Sequence, residues 1–246
     1  MRLLPLLSLF LLCTSVRAQD DRARTLLAEV VAAVGGTEAL YQLRDVEYTY
    51  HYGPSASLER YIFDGELSYG RSETAEGTRE QFFDGQEASV QLDGQPVTDA
   101  KQLASALFSR KTNLYWLLMM QKMADPGVLA TYGGTRNVEG IPYELVDVTF
   151  EDGVGVAKDR YLLYVNPYTK LVDQFLFTVA AVGRQDPILM KYTYGTFEDG
   201  VKFPVVSQSN GSANWEGEVS DPEKWSARWR EGFSFNNGFT AETIRR

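Results

Sequence analysis

Val46-Glu47-Tyr48-Thr49-Tyr50-His51-Tyr52 decides the architecture. Apolar and aromatic residues take every second position with polar ones between, which is the period of a strand with one covered face. Just upstream the period is helical. Asp20 and Asp21 open a pattern that places Leu26, Leu27, Val30, Val31 and Val34 on one face, and Gly35-Gly36 stops it. Thr37 to Leu43 predicts a short second helix with Thr37 as its N-cap. Downstream, Tyr61 to Ser72 and Arg79 to Leu92 predict further strands. Asp64-Gly65, Asp84-Gly85 and Asp93-Gly94 mark tight turns at nearly even spacing, the signature of a meander.

The middle of the chain breaks that rhythm. Asp99 to Ser109 and Asn113 to Ala124 predict two helices bounded by Asp125-Pro126-Gly127. The second is apolar nearly all round. Strands then resume at Tyr143 to Phe150, Asp159 to Val165, Leu171 to Val179, Ile188 to Phe197 and Val201 to Ser209. Turns are signalled at Asp152-Gly153, Asn166-Pro167 and Asp199-Gly200. The tail, with Trp215, Trp225, Trp229, Phe233, Phe235 and Phe239, is too aromatic for a free linker. No linker or repeat divides the chain, so one domain over 19–246 is expected: α+β, mostly β, with a single antiparallel sheet of about ten strands and helices at its start and middle.

The first eighteen residues carry a different message. Arg2, the apolar run Leu3 to Leu12 and the small-residue site Val16-Arg17-Ala18 form the plan of a cleaved secretory signal peptide. Cys13 follows Leu12 rather than a small residue and leaves with the signal, which argues against a lipid-attached cysteine. The expected address is periplasmic or extracellular. No later run of about 20 apolar residues predicts a membrane span. Export also removes the only cysteine, so no disulfide or Cys-based metal site is open to the mature chain.

Charge narrows the partners. The chain has 24 basic and 33 acidic residues; without Arg2 and Arg17 the balance is 22 against 33, a net charge of −11. Such a surface repels phosphate backbones, so nucleic acid is not expected. Catalytic equipment is thin. His51 is the only histidine, no Gly-x-Ser-x-Gly supplies a nucleophile, and zinc would lack His and Cys ligands. The many Asp-Gly pairs lack the alternating spacing of a calcium loop. Paired carboxylates could in principle cleave a glycosidic bond, but no pair has a distinguishing context. The residues therefore predict no enzyme, metal or cofactor.

Two features suit an apolar ligand. One is the helix around Trp116, Met119, Met120 and Met123, because methionine adapts to irregular apolar shapes. The other is the surplus of 31 aromatic residues, many alternating along strands, because tyrosine lines a cavity with an apolar ring and a polar tip. Candidate lining residues are Tyr48, Tyr50, Tyr52, Trp116, Met119, Met120, Met123, Phe175 and Phe177. Ordinary packing of sheet against helix explains the same pattern, and that alternative stays open.

Asn113-Leu-Tyr-Trp-Leu-Leu-Met-Met-Gln-Lys-Met-Ala-Asp-Pro-Gly-Val-Leu-Ala-Thr-Tyr-Gly-Gly134, Gly140-Ile-Pro-Tyr-Glu-Leu-Val-Asp-Val-Thr-Phe150 and Asp159-Arg-Tyr-Leu-Leu-Tyr-Val-Asn-Pro-Tyr-Thr-Lys-Leu-Val172 resemble an uncharacterised exported family of Bacteroidota-type bacteria. The likeness runs from Gly35-Gly36 through Gly200-Val-Lys-Phe-Pro204 to Phe235-Asn-Asn-Gly-Phe239. Where that family usually carries a proline ahead of its Lys-hydrophobic-x-Asp-Pro-Gly run, this chain has Met120 or Gln121. The family in turn resembles, distantly, the LolA/LolB-like periplasmic lipoprotein carriers. That resemblance implies an unclosed half-barrel wrapped on helices, an apolar cavity for a lipid or acylated protein, and no catalytic residues. The alternative is an envelope module, a binder of a transient partner or a sensor, with a filled core and no ligand.

Overall fold

The structure is a computed structural model that describes residues 21–152 and 159–245. The signal segment 1–18, with Cys13 and the cleavage site at Ala18, lies outside the described residues. The alternating stretch that opened the sequence is strand β1 (Asp45–Tyr52). It is followed by β2 (Ser55–Ile62), β3 (Leu67–Thr74), β4 (Gly77–Phe83), β5 (Ala88–Leu92) and β6 (Gln95–Pro96), joined by tight turns. After a helix come β7 (Val128–Val138), β8 (Ile141–Phe150), β9 (Tyr161–Val165), β10 (Val172–Val179), β11 (Arg184–Thr196), β12 (Lys202–Asn210) and β13 (Trp225–Phe235).

These strands form one sheet in the order β6-β5-β4-β3-β2-β1-β13-β12-β11-β10-β9-β8-β7. It consists of two meanders joined where the first strand pairs antiparallel with the last, Val46 opposite Phe235 and Tyr52 opposite Arg228. β6 and β7 are the two ends and are not neighbours, so the sheet is open. The expected class, mostly β with one large unclosed antiparallel sheet, is the class found. The sheet has thirteen strands rather than about ten. Trp225, Trp229, Phe233 and Phe235 of the aromatic tail lie in β13, and β7 was hidden by Gly133-Gly134. Those glycines sit at an irregularity between Tyr132 and Thr135, and Gly134 has φ +85°, so a breaker signal lies inside an ordered strand.

Helix α1 covers 21–33 and α2 is Gly36–Gln42. Gly35-Gly36 ends the first helix as expected. The N-cap of α2 is Gly35 rather than Thr37: its φ of +103° brings the backbone against Val201, where a Cβ would lie 2.7 Å from the Val201 Cα. The two helices expected at 99–124 are one continuous helix, α3 (Ala100–Leu118), with a 3-10 turn at Gln121–Ala124. Arg110-Lys111-Thr112 contains no glycine or proline to break it. Asp99 caps α3 by accepting from the Gln102 backbone N–H at 2.9 Å.

The contacts gather the described residues into two compact units. The first comprises α1, 122–191 and 209–225. Its core holds Tyr143, Leu145, Leu162, Tyr164 and Leu176, flanked by Trp215 and Trp225. β9 is buried at all five positions, so both its faces are covered. On the face opposite Leu162 and Tyr164, the Tyr161 ring stacks on Phe177 at 6.0 Å.

The second unit comprises 34–121, 192–208 and 226–245. Leu40, Leu43, Val46, Tyr48, Tyr61, Phe63, Leu114, Leu117, Val201 and Phe203 form its core, against Phe233 and Phe235. The segment after β13 is fastened to it. Both carboxylate oxygens of buried Asp45 accept backbone N–H bonds from 237–239, at 2.8 to 3.1 Å, and Ile244 is buried against Tyr69 and Phe82.

Burial of two tyrosines predicts alkaline sensitivity. Desolvation pushes the Tyr48 hydroxyl up to about 12 and holds that of Tyr61 well above its ordinary value of 10. An unfolded chain sheds these protons near pH 10 while the folded one keeps them. Stability is therefore whole below pH 10 and falls as pH rises toward the folded values, by roughly 1.4 kcal/mol per pH unit for each tyrosine. Urea midpoints at about pH 9 and about pH 11 should differ accordingly, and a Tyr48→Phe variant should lose less. Equal midpoints would show that these hydroxyls ionise in place.

Candidate functional site

In the second unit the inner face of β1–β4 and β13 is read off the strand register. Tyr50 lies opposite Arg230 on one side and Ser57 on the other, and Ser57, Ser72 and Arg79 continue that row. The next row runs Tyr48, Glu59, Gly70, Gln81. Paired residues share a face, so serines, a carboxylate and guanidinium groups stand where the strand pattern alone suggested an aromatic surface. α3 adds Ser109, Arg110 and Asn113.

Between helix and strands lies a cavity of about 530 Å³, whose lining includes exposed Tyr52, Gly53, Thr74 and Ser226 and half-buried Arg228. Its wall is built on a buried ion pair. Glu59 is 0% exposed and Arg110 3%. Arg110 donates twice to the Glu59 carboxylate, Nη1 to Oε2 at 2.7 Å and Nη2 to Oε1 at 3.0 Å. Ser57 and Tyr61 donate their hydroxyls to the same carboxylate, at 2.6 and 2.5 Å. All four contacts are charge-assisted, which is what allows a carboxylate to persist without water. Arg110, although desolvated, is held charged by Glu59, and its pKa lies above the ordinary value. Gly70 makes room for this pair: a Cβ there would fall 2.4 Å from Arg110 Nη1 and 2.6 Å from its Cζ.

Further cations adjoin it. Arg79 Nη1 donates to Gln102 Oε1 of α3 at 2.8 Å. Arg230 is buried, with its guanidinium 4.8 Å from the centre of the Tyr50 ring and Nη1 donating to the Pro204 carbonyl at 2.8 Å.

Of the expected lining residues, Tyr50 and Tyr52 line this cavity. Tyr48 is in the core beneath them, stacked on Tyr61 and Phe233. Met119, Met120 and Met123 follow α3 and are at most 2% exposed. Trp116 is half-buried on α3 and its carbonyl accepts from the Tyr192 hydroxyl at 3.4 Å. Phe175 and Phe177 are buried in the first unit, beside Tyr161. The nine residues are therefore not gathered at one place. His51 faces the other side of the sheet, stacked on Trp229 at 4.6 Å and paired with Glu231 at 2.8 Å. Among the described residues no three His, Cys, Asp or Glu side chains are grouped to hold a metal, and no helix is long and apolar enough to cross a membrane.

Glu59, Gly70, Arg79, Arg110 and Arg228 were not singled out from the sequence. A signal was present. Glu59 falls on the inward phase of β2 between Ser57 and Tyr61, and Arg110 falls in the buried stripe Ala106, Leu114, Leu117 of α3. Opposite charges on two buried faces predict that the faces meet.

No protein-family model and no curated protein matches the chain. Solved structures do. A DUF1329 family protein from Desulfovibrio piger superposes with a TM-score of 0.56 at 11% identity, over 93% of this chain and 98% of that one. A domain from Vibrio parahaemolyticus described as an outer membrane lipoprotein-sorting protein gives 0.53 at 6% identity, over 92% and 97%. A LolA superfamily protein from Nitrosomonas europaea gives 0.48 at 8%, over 88% and 96%. The first two likenesses establish a shared fold.

Proposed function

We propose that this protein is an exported binding protein of the periplasm or envelope that holds a lipid or other acyl-bearing ligand, and that it works by binding rather than catalysis. The observation that carries the reading is the cavity of about 530 Å³ beneath α3, a size typical of ligand sites. Tyr50 and Tyr52 at its rim offer apolar rings to such a ligand. The fold shared with the Vibrio lipoprotein-sorting domain supports the same reading.

Native mass spectrometry on mature protein purified gently from a periplasm, followed by lipid extraction, tests it. The expected result is a discrete added mass that denaturation releases as lipid. A protein that stays free of added mass after incubation with phospholipids and acylated peptides would overturn the reading. A second reading then stands, because Tyr48 and the three methionines after Trp116 fill the interior with side chains: the domain would bind or sense a protein partner through its surface.

A further inference from the structure

The cavity wall is cationic in an acidic protein. Arg79, Arg110 and Arg228 line it and Glu59 is its only carboxylate, so the lining has a net charge of +2 in a chain whose net charge is −9. Glu59 is fully committed to Arg110, Ser57 and Tyr61. Arg79 is tied to the neutral amide of Gln102 and, among the described residues, pairs with no carboxylate. Arg228 stands opposite Tyr52 at the mouth. Ser57, Ser72, Thr74, Gln81, Ser109 and Asn113 add hydroxyls and amides, groups that bond to oxygens, beside the Tyr50 and Tyr52 rings.

We propose that this cavity recognises an anionic oxygen group, a phosphate or carboxylate, with Arg79 and Arg228 as its charged contacts and the Arg110–Glu59 pair as the rigid wall behind it. The inference rests on the binding role proposed above and specifies which end of the ligand enters. A planar guanidinium matches two oxygens of a phosphate or carboxylate at once, and removal from bulk water strengthens the contact. The Tyr50 and Tyr52 rings at the opening then cover the first carbons that follow the headgroup.

Calorimetric titration of the mature protein with dihexanoyl phosphatidic acid, uncharged dihexanoylglycerol and inorganic phosphate tests this. Phosphatidic acid should bind at least about tenfold tighter than the uncharged lipid. An Arg79→Gln/Arg228→Gln variant should lose roughly 10- to 100-fold for phosphatidic acid while still unfolding in one cooperative thermal transition. Inorganic phosphate binding as tightly as the lipid, with the same loss in the variant, would support the anion site and remove the lipid from the proposed function. Equal affinity for charged and uncharged lipids, unmoved by the variant, would overturn the anion site and leave lipid binding intact. Binding of none of the three would overturn both.

Discussion

Arg110→Ala is expected to destabilise the protein by about 3 kcal/mol, within the 3–5 kcal/mol typical of a buried ion pair broken on one side. The cost arises from what remains. Glu59 would keep the hydroxyls of Ser57 and Tyr61 but lose the guanidinium that donates to it twice. The cavity alongside lets water enter the space that the guanidinium vacates, which places the value at the lower end. A second variant separates charge from packing. Arg110→Met with Glu59→Gln removes both charges and still offers the Tyr61 and Ser57 hydroxyls an acceptor, so it should recover most of the loss. Gly70→Ala should fall between them, since its methyl group displaces the guanidinium without deleting it. Urea denaturation with unchanged slope measures all three, and an Arg110→Ala loss below about 1 kcal/mol would mean that the pair is solvated in solution.

Gly35→Ala should cost about 2–6 kcal/mol, combining roughly 1–3 for a side chain at positive φ with roughly 1–3 for overpacking. The obstruction is main chain: the Val201 Cα at 2.7 Å and the Gly200 carbonyl at 3.1 Å cannot rotate away as a side chain could. Gly36 is the control. Its φ is +79° but nothing lies within 4 Å of its added Cβ, so Gly36→Ala should show only the backbone share, about 1–3 kcal/mol. Similar losses at the two positions would show that Val201 yields and that the close approach is soft.

What the sequence displayed follows a physical divide. Local signals were legible: the alternation of Val46 to Tyr52, the stop at Gly35-Gly36 and the turns at Asp64-Gly65, Asp84-Gly85 and Asp93-Gly94 each depend on neighbours a few positions away. The site depends on a carboxylate and a guanidinium 51 positions apart, which meet only once β2 and α3 are packed. Aromatic content leaves two roles open for a related reason. Periodicity identifies Tyr48, Tyr50 and Tyr52 as one face, but the distance to the next layer decides whether each ring fills the core or edges a cavity. Tyr48 does the first, Tyr50 and Tyr52 the second.

The pairing of β1 with β13 sets a timetable for synthesis. The first strand finds half of its hydrogen-bond partners in the last, so the centre of the sheet cannot close until nearly the whole chain exists. At roughly 5–20 residues per second, β1 waits on the order of ten seconds or longer for that partner to be made. Contacts so distant in sequence also form slowly once both strands are present. For a chain exported as proposed, the delay is useful: a polypeptide that must pass a membrane as an open thread is kept from knotting up its core while still attached to the ribosome.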